Sequence, residues 1–382
     1  MELFLGVVSG LLVLVFLVTV HELGHAIAAR RNGVVVEEFG IGFPPRAWAK
    51  KLKNGVLFTL NWLPLGGFVK LQGEHDSASH KGDYGAATFR QKTFILLAGV
   101  LMNWIIAVIL LTVLAWTGLP KILPDQFSVS GDTTTIESPV EVTSVVKDSP
   151  AARANLQTGD QILRFAGGQV PSPQVLTQQT RLNKGKQVDV IYSRGGIERT
   201  VKVDLRPSNV NGLGYLGVSS GQREEIQSSW SAPIVGIVTT GQFTVVTLQG
   251  LGGLIANTFN GLVLQLSSDH TVRDRAHQDL QMAGDSVAGP IGILGTIFPA
   301  AEQQGATQFI FLSAIISLTL AVMNILPIPA LDGGRWFTMV LFRLFKKPLT
   351  KEREEKIQGT GFMILMTLVL IVTVADVAKL FK

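Results

Sequence analysis

His21-Glu22-Leu23-Gly24-His25 sets two imidazoles four residues apart with a carboxylate between them. On a helix, positions i and i+4 share one face a single turn apart, so both rings can reach one cation. This is zinc-ligand spacing, and Glu22 is placed to take a proton from a water that the ion activates toward a peptide carbonyl. The surroundings sharpen the reading. Residues 3–20 carry no charge, and the apolar run continues through the motif to Ala29 before Arg30 and Arg31 stop it. Ionisable groups inside such a segment are expensive and are functional candidates by default.

A catalytic zinc takes three protein ligands and keeps one position open. The other histidines, His75, His80, His270 and His277, fall in polar loops. The best third ligand is Asp332, at the end of an apolar run that closes Asn324-Ile325-Leu326-Pro327-Ile328-Pro329-Ala330-Leu331-Asp332-Gly333-Gly334. Pro327 and Pro329 forbid a regular helix there. Unwound backbone at membrane depth is tolerated only where protein or a water cavity buries it.

The elements that must position these residues are membrane helices. The 382 residues are 47% hydrophobic and only 16% charged, below the roughly quarter of an ordinary soluble domain. Disorder is excluded on the same grounds. The absence of cysteine excludes disulfides, iron–sulfur clusters and a thiol nucleophile. A net charge of +5 is too mild for nucleic-acid binding. Apolar stretches at 3–29, 93–120, 303–331 and 357–375 predict about four transmembrane helices. Residues 227–268 are also uncharged, but Gln242, Gln249, Asn257, Asn260 and Gln265 recur among Thr and Gly. That pattern reads as amphipathic surface helices within 227–302. Basic residues crowd the loops 30–92 and 335–356, which places both loops in the cytoplasm and residues 121–302 outside. The membrane part then has two halves, 1–120 and 303–382.

Between them, residues 137–220 alternate like strands, as in Val188-Asp189-Val190-Ile191-Tyr192 and Val201-Lys202-Val203-Asp204-Leu205, with Gly195-Gly196 as a turn. This stretch resembles one PDZ domain of the type found in bacterial proteases, which implies capture of extended peptide segments near Leu213-Gly214-Tyr215-Leu216-Gly217-Val218. Earlier in the chain, Asn54-Gly55 is a strong turn pair and Val56-Leu57-Phe58-Thr59-Leu60 is strand-like, predicting a hairpin at 54–70 with Phe58 and Leu60 on an edge strand.

HExxH in the first span with N-x-x-P-x-P-x-L-D-G in a later one resembles the site-2 protease family, nearest its bacterial RseP-type branch, the regulator-of-sigma-E proteases, over nearly the whole chain. Pro64-Leu65-Gly66-Gly67-Phe68-Val69-Lys70 is similar to the end of that family's membrane re-entrant β-hairpin. Gly99-Val100-Leu101-Met102-Asn103 is similar to its G-x-x-x-N element, and Ala288-Gly289-Pro290-Ile291-Gly292 to its segment before the third span. The resemblance implies an α-helical multi-pass protein of the bacterial inner membrane with an inserted extracytoplasmic PDZ-like domain. It implies a Zn2+-dependent endopeptidase whose substrates are single-span membrane proteins within the lipid bilayer. It further implies substrate contacts for Asn324, Asn103, Gly66, Gly67, Phe58 and Leu60. Two readings from other classes stand beside it: a catalytically silent membrane scaffold binding partners through the PDZ-like domain, and a transporter, which would show the repeated topology this chain lacks.

Overall fold

The computed structural model describes residues 2–209, 212–265, 273, 274, 278 and 288–380; His270 and His277 lie outside them. The chain divides into two units, Met1–Leu114 with Ala232–Lys382, and Ala115–Ser231.

The first unit is built on long apolar helices. These are α1 (Glu2–Arg31), α2 (Phe89–Thr117), α5 (Ala232–Leu264), α8 (Ala306–Ile325) and α10 (Lys351–Leu380), with the shorter α9 (Asp332–Leu344) between the last two. Among the described residues five helices, not four, are long and apolar enough to cross a membrane; the additional one is Ala232–Gly261. One continuous helix, Ala232–Leu264, thus occupies the first part of 227–302, where the sequence predicts amphipathic surface helices. The threonines that lie among its glutamines and asparagines hide their hydroxyls on their own helix: Thr240 bonds the Gly236 carbonyl at 2.6 Å, Thr244 that of Thr240 at 2.7 Å, and Thr258 that of Leu254 at 2.8 Å. α5 lies along α2 in the opposite direction, with Gly236 against the Thr112 backbone and the Trp104 indole donating to Thr244 at 3.4 Å.

Residues 36–71 form a small sheet rather than a simple hairpin. β1 (Val36–Lys51) and β2 (Leu57–Leu71) are each bent in the middle, near Pro44-Pro45 and Leu63-Pro64, where proline interrupts the ladder. Gly40 is paired with Phe68 on one side and with Thr59 on the other. The second half of β1 then pairs with residues 57–61, as in Trp48 with Leu60 and Lys51 with Leu57. Residues 57–60 are therefore the interior of the sheet, flanked on both sides, and the expectation of Phe58 and Leu60 on a free edge is corrected. The edges are residues 46–51 and 67–71.

Before α8 the chain forms a broken helix: α6 (Pro290–Gly292), a π turn over Ile293–Ile297, and α7 (Phe298–Gln303). Pro299 and Phe298 sit directly on Gly6 and Gly10 of α1, where a Cβ would come within 2.5 and 2.6 Å of them. Asp376 of α10 accepts the Gly292 amide at 2.8 Å, capping a helix start that has no side-chain cap of its own.

The second unit is β-rich. β3 (Leu119–Pro120), β4 (Thr134–Glu137) and β11 (Glu224–Gln227) make one small sheet, in the order β3-β11-β4. β5 (Val140–Val145), β6 (Gln161–Phe165), β8 (Gln187–Arg194), β9 (Ile197–Asp204) and β10 (Val218–Gly221) make the main sheet, in the order β10-β5-β6-β8-β9, with β7 (Gly168–Gln169) paired to β6. Two helices with serine N-caps and proline in the first turn, α3 (Pro150–Arg153) and α4 (Pro173–Leu182), complete it. Val140, Ile162, Phe165, Val190, Val203 and Leu216 are among the residues of its closed core.

Candidate active site

α1 turns His21 and His25 to one face, as the spacing requires, and their Nε2 atoms come within 3.2 Å of each other. α9 begins at Asp332, whose Oδ2 lies 3.0 Å from His21 Nε2 and 3.2 Å from His25 Nε2. Asp332 sits in the first turn of its helix, where unpaired backbone amides favour a carboxylate. Both histidines are buried, and Asp332 Oδ2 is a buried oxygen with no hydrogen-bond partner. Three donor atoms 3.0–3.2 Å apart, an orphan carboxylate oxygen among them, fit the ligand set of one small cation held at about 2.0–2.1 Å from each. Among the described residues this is the one cluster of three histidine or acidic side chains able to hold a metal.

Glycines make the convergence possible. A Cβ on Gly24 would stand 2.5 Å from the Ala98 carbonyl, so α2 packs directly on the backbone of α1. A Cβ on Gly99 would stand 2.5 Å from His25 Nε2 and 2.8 Å from His21 Nε2, inside the cluster itself. Gly333 and Gly334 let the first turn of α9 fold against the unwound backbone at Ile325 and Ile328.

The hydrogen bonds behind the cluster were not legible in the sequence. His25 Nδ1 donates to the Ile95 carbonyl at 2.7 Å, which leaves Nε2 as a lone-pair donor to a cation. Glu22 is half-buried beside the two rings, with the Val69 backbone of the 67–71 edge of the sheet close to its carboxylate. Gly67 lies against the same side chain: its Cβ would be 3.6 Å from Glu22 Cγ. Gly66 has φ +88° and is crowded by Phe43, so the turn into that edge needs glycine.

Other expected residues are distributed as follows. Asn103 is buried against His21, its amide 3.4 Å from Nδ1. Asn324 donates to the Leu320 carbonyl of its own helix at 3.0 Å. Phe58 stacks with Phe39 and meets Trp48 edge-on, and Leu60 is exposed on the sheet. His75 lies 3.6 Å from Glu355, and His80 3.4 Å from Asp83.

One turn beyond Asp332, Arg335 bonds Glu354 at 3.1 Å and the Glu74 carbonyl, and its guanidinium lies 4.8 Å from the centre of the buried Tyr84 ring. Glu354 also accepts the Asp76 amide at 2.9 Å, while Asp76 pairs with Lys92 of α2. Trp336 donates to Thr93 at 3.0 Å. The segment after β2, the start of α2, α9 and α10 are thus held together beside the third donor. A cavity of about 460 Å³, bordered by Glu74, His75, Asp332, Arg335, Glu354 and Gln358, opens next to it.

Residues 9–368 match the family model described as Peptidase family M50. A protein of Clostridium perfringens is 30% identical over 380 residues, covering 97% of this chain and 98% of its own length. Zinc metalloprotease RasP of Geobacillus kaustophilus is 26% identical over 457 aligned positions, covering 98% of each. Among solved structures, the PDZ domain of an SdrC-like protein from Listeria monocytogenes aligns with 25% of this chain and 93% of itself, at 26% identity and a TM-score of 0.20. With the family model running through both halves of the helical unit and reaching every residue of the His21, His25 and Asp332 cluster, the chain belongs to peptidase family M50, the site-2 proteases.

Proposed function

We propose that His21, His25 and Asp332 hold the zinc ion of an intramembrane endopeptidase and that Glu22 is its general base. Membership of family M50 makes the chain a zinc metalloprotease of the bacterial membrane. The residue assignment rests above all on one observation: two histidine nitrogens and an otherwise unpartnered carboxylate oxygen converge within hydrogen-bonding distance of each other. When bound, zinc supplies Lewis acidity toward a water molecule and the scissile carbonyl. Glu22 takes the proton from the attacking water and returns it to the leaving amide nitrogen. The 67–71 edge of the sheet, with Gly67 against the Glu22 side chain, packs that carboxylate beside the two rings for the transfer.

The substrate is a membrane-spanning segment of a single-span protein. A helical carbonyl is hydrogen-bonded and shielded, so the segment must be extended before it is cut. The 67–71 edge of the small sheet, beside Glu22, offers a rail for strand addition, with Gly66 and Gly67 keeping the approach clear. Within an apolar surround, unpaired strand groups are costly, which favours pairing there over pairing in water. With its Nδ2 on the Leu320 carbonyl, Asn324 has its amide oxygen left to accept from substrate backbone. The basic loops argue for a site facing the cytoplasm, and the β-rich unit then stands outside, where β10 ends the main sheet and leaves an edge for a peptide or for a gate on access.

The test separates ligand from base. Purified wild-type protein should carry one zinc, and His21→Ala should carry none. Glu22→Gln should retain the metal and fail to cleave a co-expressed single-span substrate. Wild-type cleavage by Glu22→Gln, or full zinc in His21→Ala, would sink the assignment and favour the silent scaffold.

A further inference from the structure

His25 and His21 meet different surroundings at their second ring nitrogen. A neutral imidazole that turns its Nε2 lone pair toward a cation carries its proton on Nδ1, and a buried Nδ1–H needs an acceptor. For His25 that acceptor is the Ile95 carbonyl, at 2.7 Å. For His21 the polar group in reach is the Asn103 side chain, at 3.4 Å from Nδ1. Asn103 is 1% exposed, and its Oδ1 is a buried oxygen with no hydrogen-bond partner. Its backbone carbonyl accepts the Ser317 hydroxyl at 2.8 Å, so α2 is fastened to α8 at this residue. The amide oxygen and nitrogen of an asparagine exchange by a half-turn about Cβ–Cγ, and their places are assigned from the hydrogen-bond network. With Nδ2 toward the ring, an N–H would face an N–H. With Oδ1 toward the ring, Nδ1–H is accepted.

We propose that Asn103 accepts a hydrogen bond from His21 Nδ1–H through Oδ1 and thereby holds the ring in the tautomer whose Nε2 faces Asp332. This rests on the zinc reading above. Asn103 is then a positioning residue, the side-chain counterpart of the Ile95 carbonyl, and it faces a ligand ring rather than substrate. Outer partners of this kind change metal affinity by about 10–100-fold when removed.

The experiment compares wild type, Asn103→Leu, Asn103→Asp and His21→Ala as purified full-length proteins. Zinc affinity is read by chelator competition, the ligand environment by the visible spectrum of the Co2+-substituted protein, and folding by thermal unfolding with metal removed. Asn103→Leu, similar in volume but without an acceptor, should bind zinc about 10–100-fold more weakly and shift the Co2+ spectrum. Asn103→Asp keeps an acceptor and should bind within about 3-fold of wild type, or tighter. Should the Leu variant not fold, Asn103→Ser, too short to reach the ring, should show the same loss. Wild-type zinc affinity in Asn103→Leu or Asn103→Ser, or equal loss in the Asp and Leu variants, overturns the role of Asn103 alone. A wild type without zinc, or zinc retained by His21→Ala, overturns the zinc reading and this inference with it.

Discussion

Two aspartates, Asp160 in the β-rich unit and Asp332 in the helical one, are drawn away from solvent and treated oppositely. Asp160 is fully buried, and every oxygen is used: Arg194 reaches Oδ1 from Nε at 2.6 Å and Oδ2 from its terminal nitrogen at 2.8 Å, and the Gln157 amide adds a third bond at 2.8 Å. The guanidinium also lies 5.3 Å from the centre of the Tyr192 ring and bonds the Asn155 carbonyl. Asp332 faces two imidazoles that, in their metal-ligating form, have only lone pairs to show it. A closed ion pair stabilises a fold and has no chemistry left over. An open cluster of three converging donor atoms is completed by a cation. Burial alone does not separate the two cases; the count of satisfied atoms does.

The largest effect that would break this contrast is at Asp332. Asp332→Ala should lower zinc affinity on the order of 10³-fold, beyond the range of an outer-shell change. The metal-free protein should lose less than the about 3 kcal/mol expected on breaking a closed buried ion pair, because without metal the carboxylate keeps only the two imidazoles, 3.0 and 3.2 Å away, as partners. Metal analysis and a melt in chelator decide it; a strongly destabilised apo-protein would make Asp332 a fold residue like Asp160.

Asp160→Ala should do the reverse. Removing one partner of a buried pair costs about 3 kcal/mol or more. Urea unfolding should register that loss while zinc stoichiometry stays at the wild-type value. Unchanged unfolding would mean that Arg194 and the Gln157 amide find water at no penalty.

Gly99→Ala sharpens the comparison at the scale of one methyl group. The added Cβ would press on His25 Nε2 and His21 Nε2, and overpacking of this kind costs about 1–3 kcal/mol. About a 10-fold or greater loss of zinc affinity should follow. No loss would show that α2 can withdraw from the cluster.

The smallest effect concerns a third aspartate, half-buried Asp132. Hydrogen bonds from Ser229 and Ser231, hydroxyl and amide alike, hold its carboxyl down from 3.8 to about 2. A depressed folded pKa stabilises above the unfolded value and loses that contribution as pH falls toward 2. Asp132→Asn should therefore melt lower than wild type at pH 7, and the two melting temperatures should converge between pH 4 and about 2. A difference independent of pH would assign the effect to hydrogen bonding alone.

The chemistry was legible in one dimension because it depends on short-range spacing: HExxH fixes a helix face, and the Pro-x-Pro before Asp332 marks unwound chain. What escaped depends on long-range contact. Nothing local announces that the Val69 backbone meets Glu22 or that Ile95 serves His25. The alternation of 56–60 correctly signals a strand, but whether a strand lies at an edge is decided by what the rest of the chain adds, here residues 38–41 on one side and 48–51 on the other. In α5 the threonines count as polar in one dimension, whereas in the helix their hydroxyls are silenced by the carbonyl four residues back.

The β-rich unit begins and ends at a seam. Ser228 donates to the Ala115 carbonyl at 2.7 Å, the Trp116 indole to the Ser229 carbonyl at 2.7 Å, and the Gln227 side chain to the Trp116 carbonyl at 2.9 Å, with β3 and β11 paired just beyond. The two points where the chain leaves and rejoins the helical unit are therefore neighbours, stitched together by their own backbone and side-chain hydrogen bonds. Such a seam makes the insert a cassette. Its length, its number of modules and even its fold can change while the helices on either side still see the same two ends the same distance apart, so the insert is free to diversify while the helical unit keeps one chemistry.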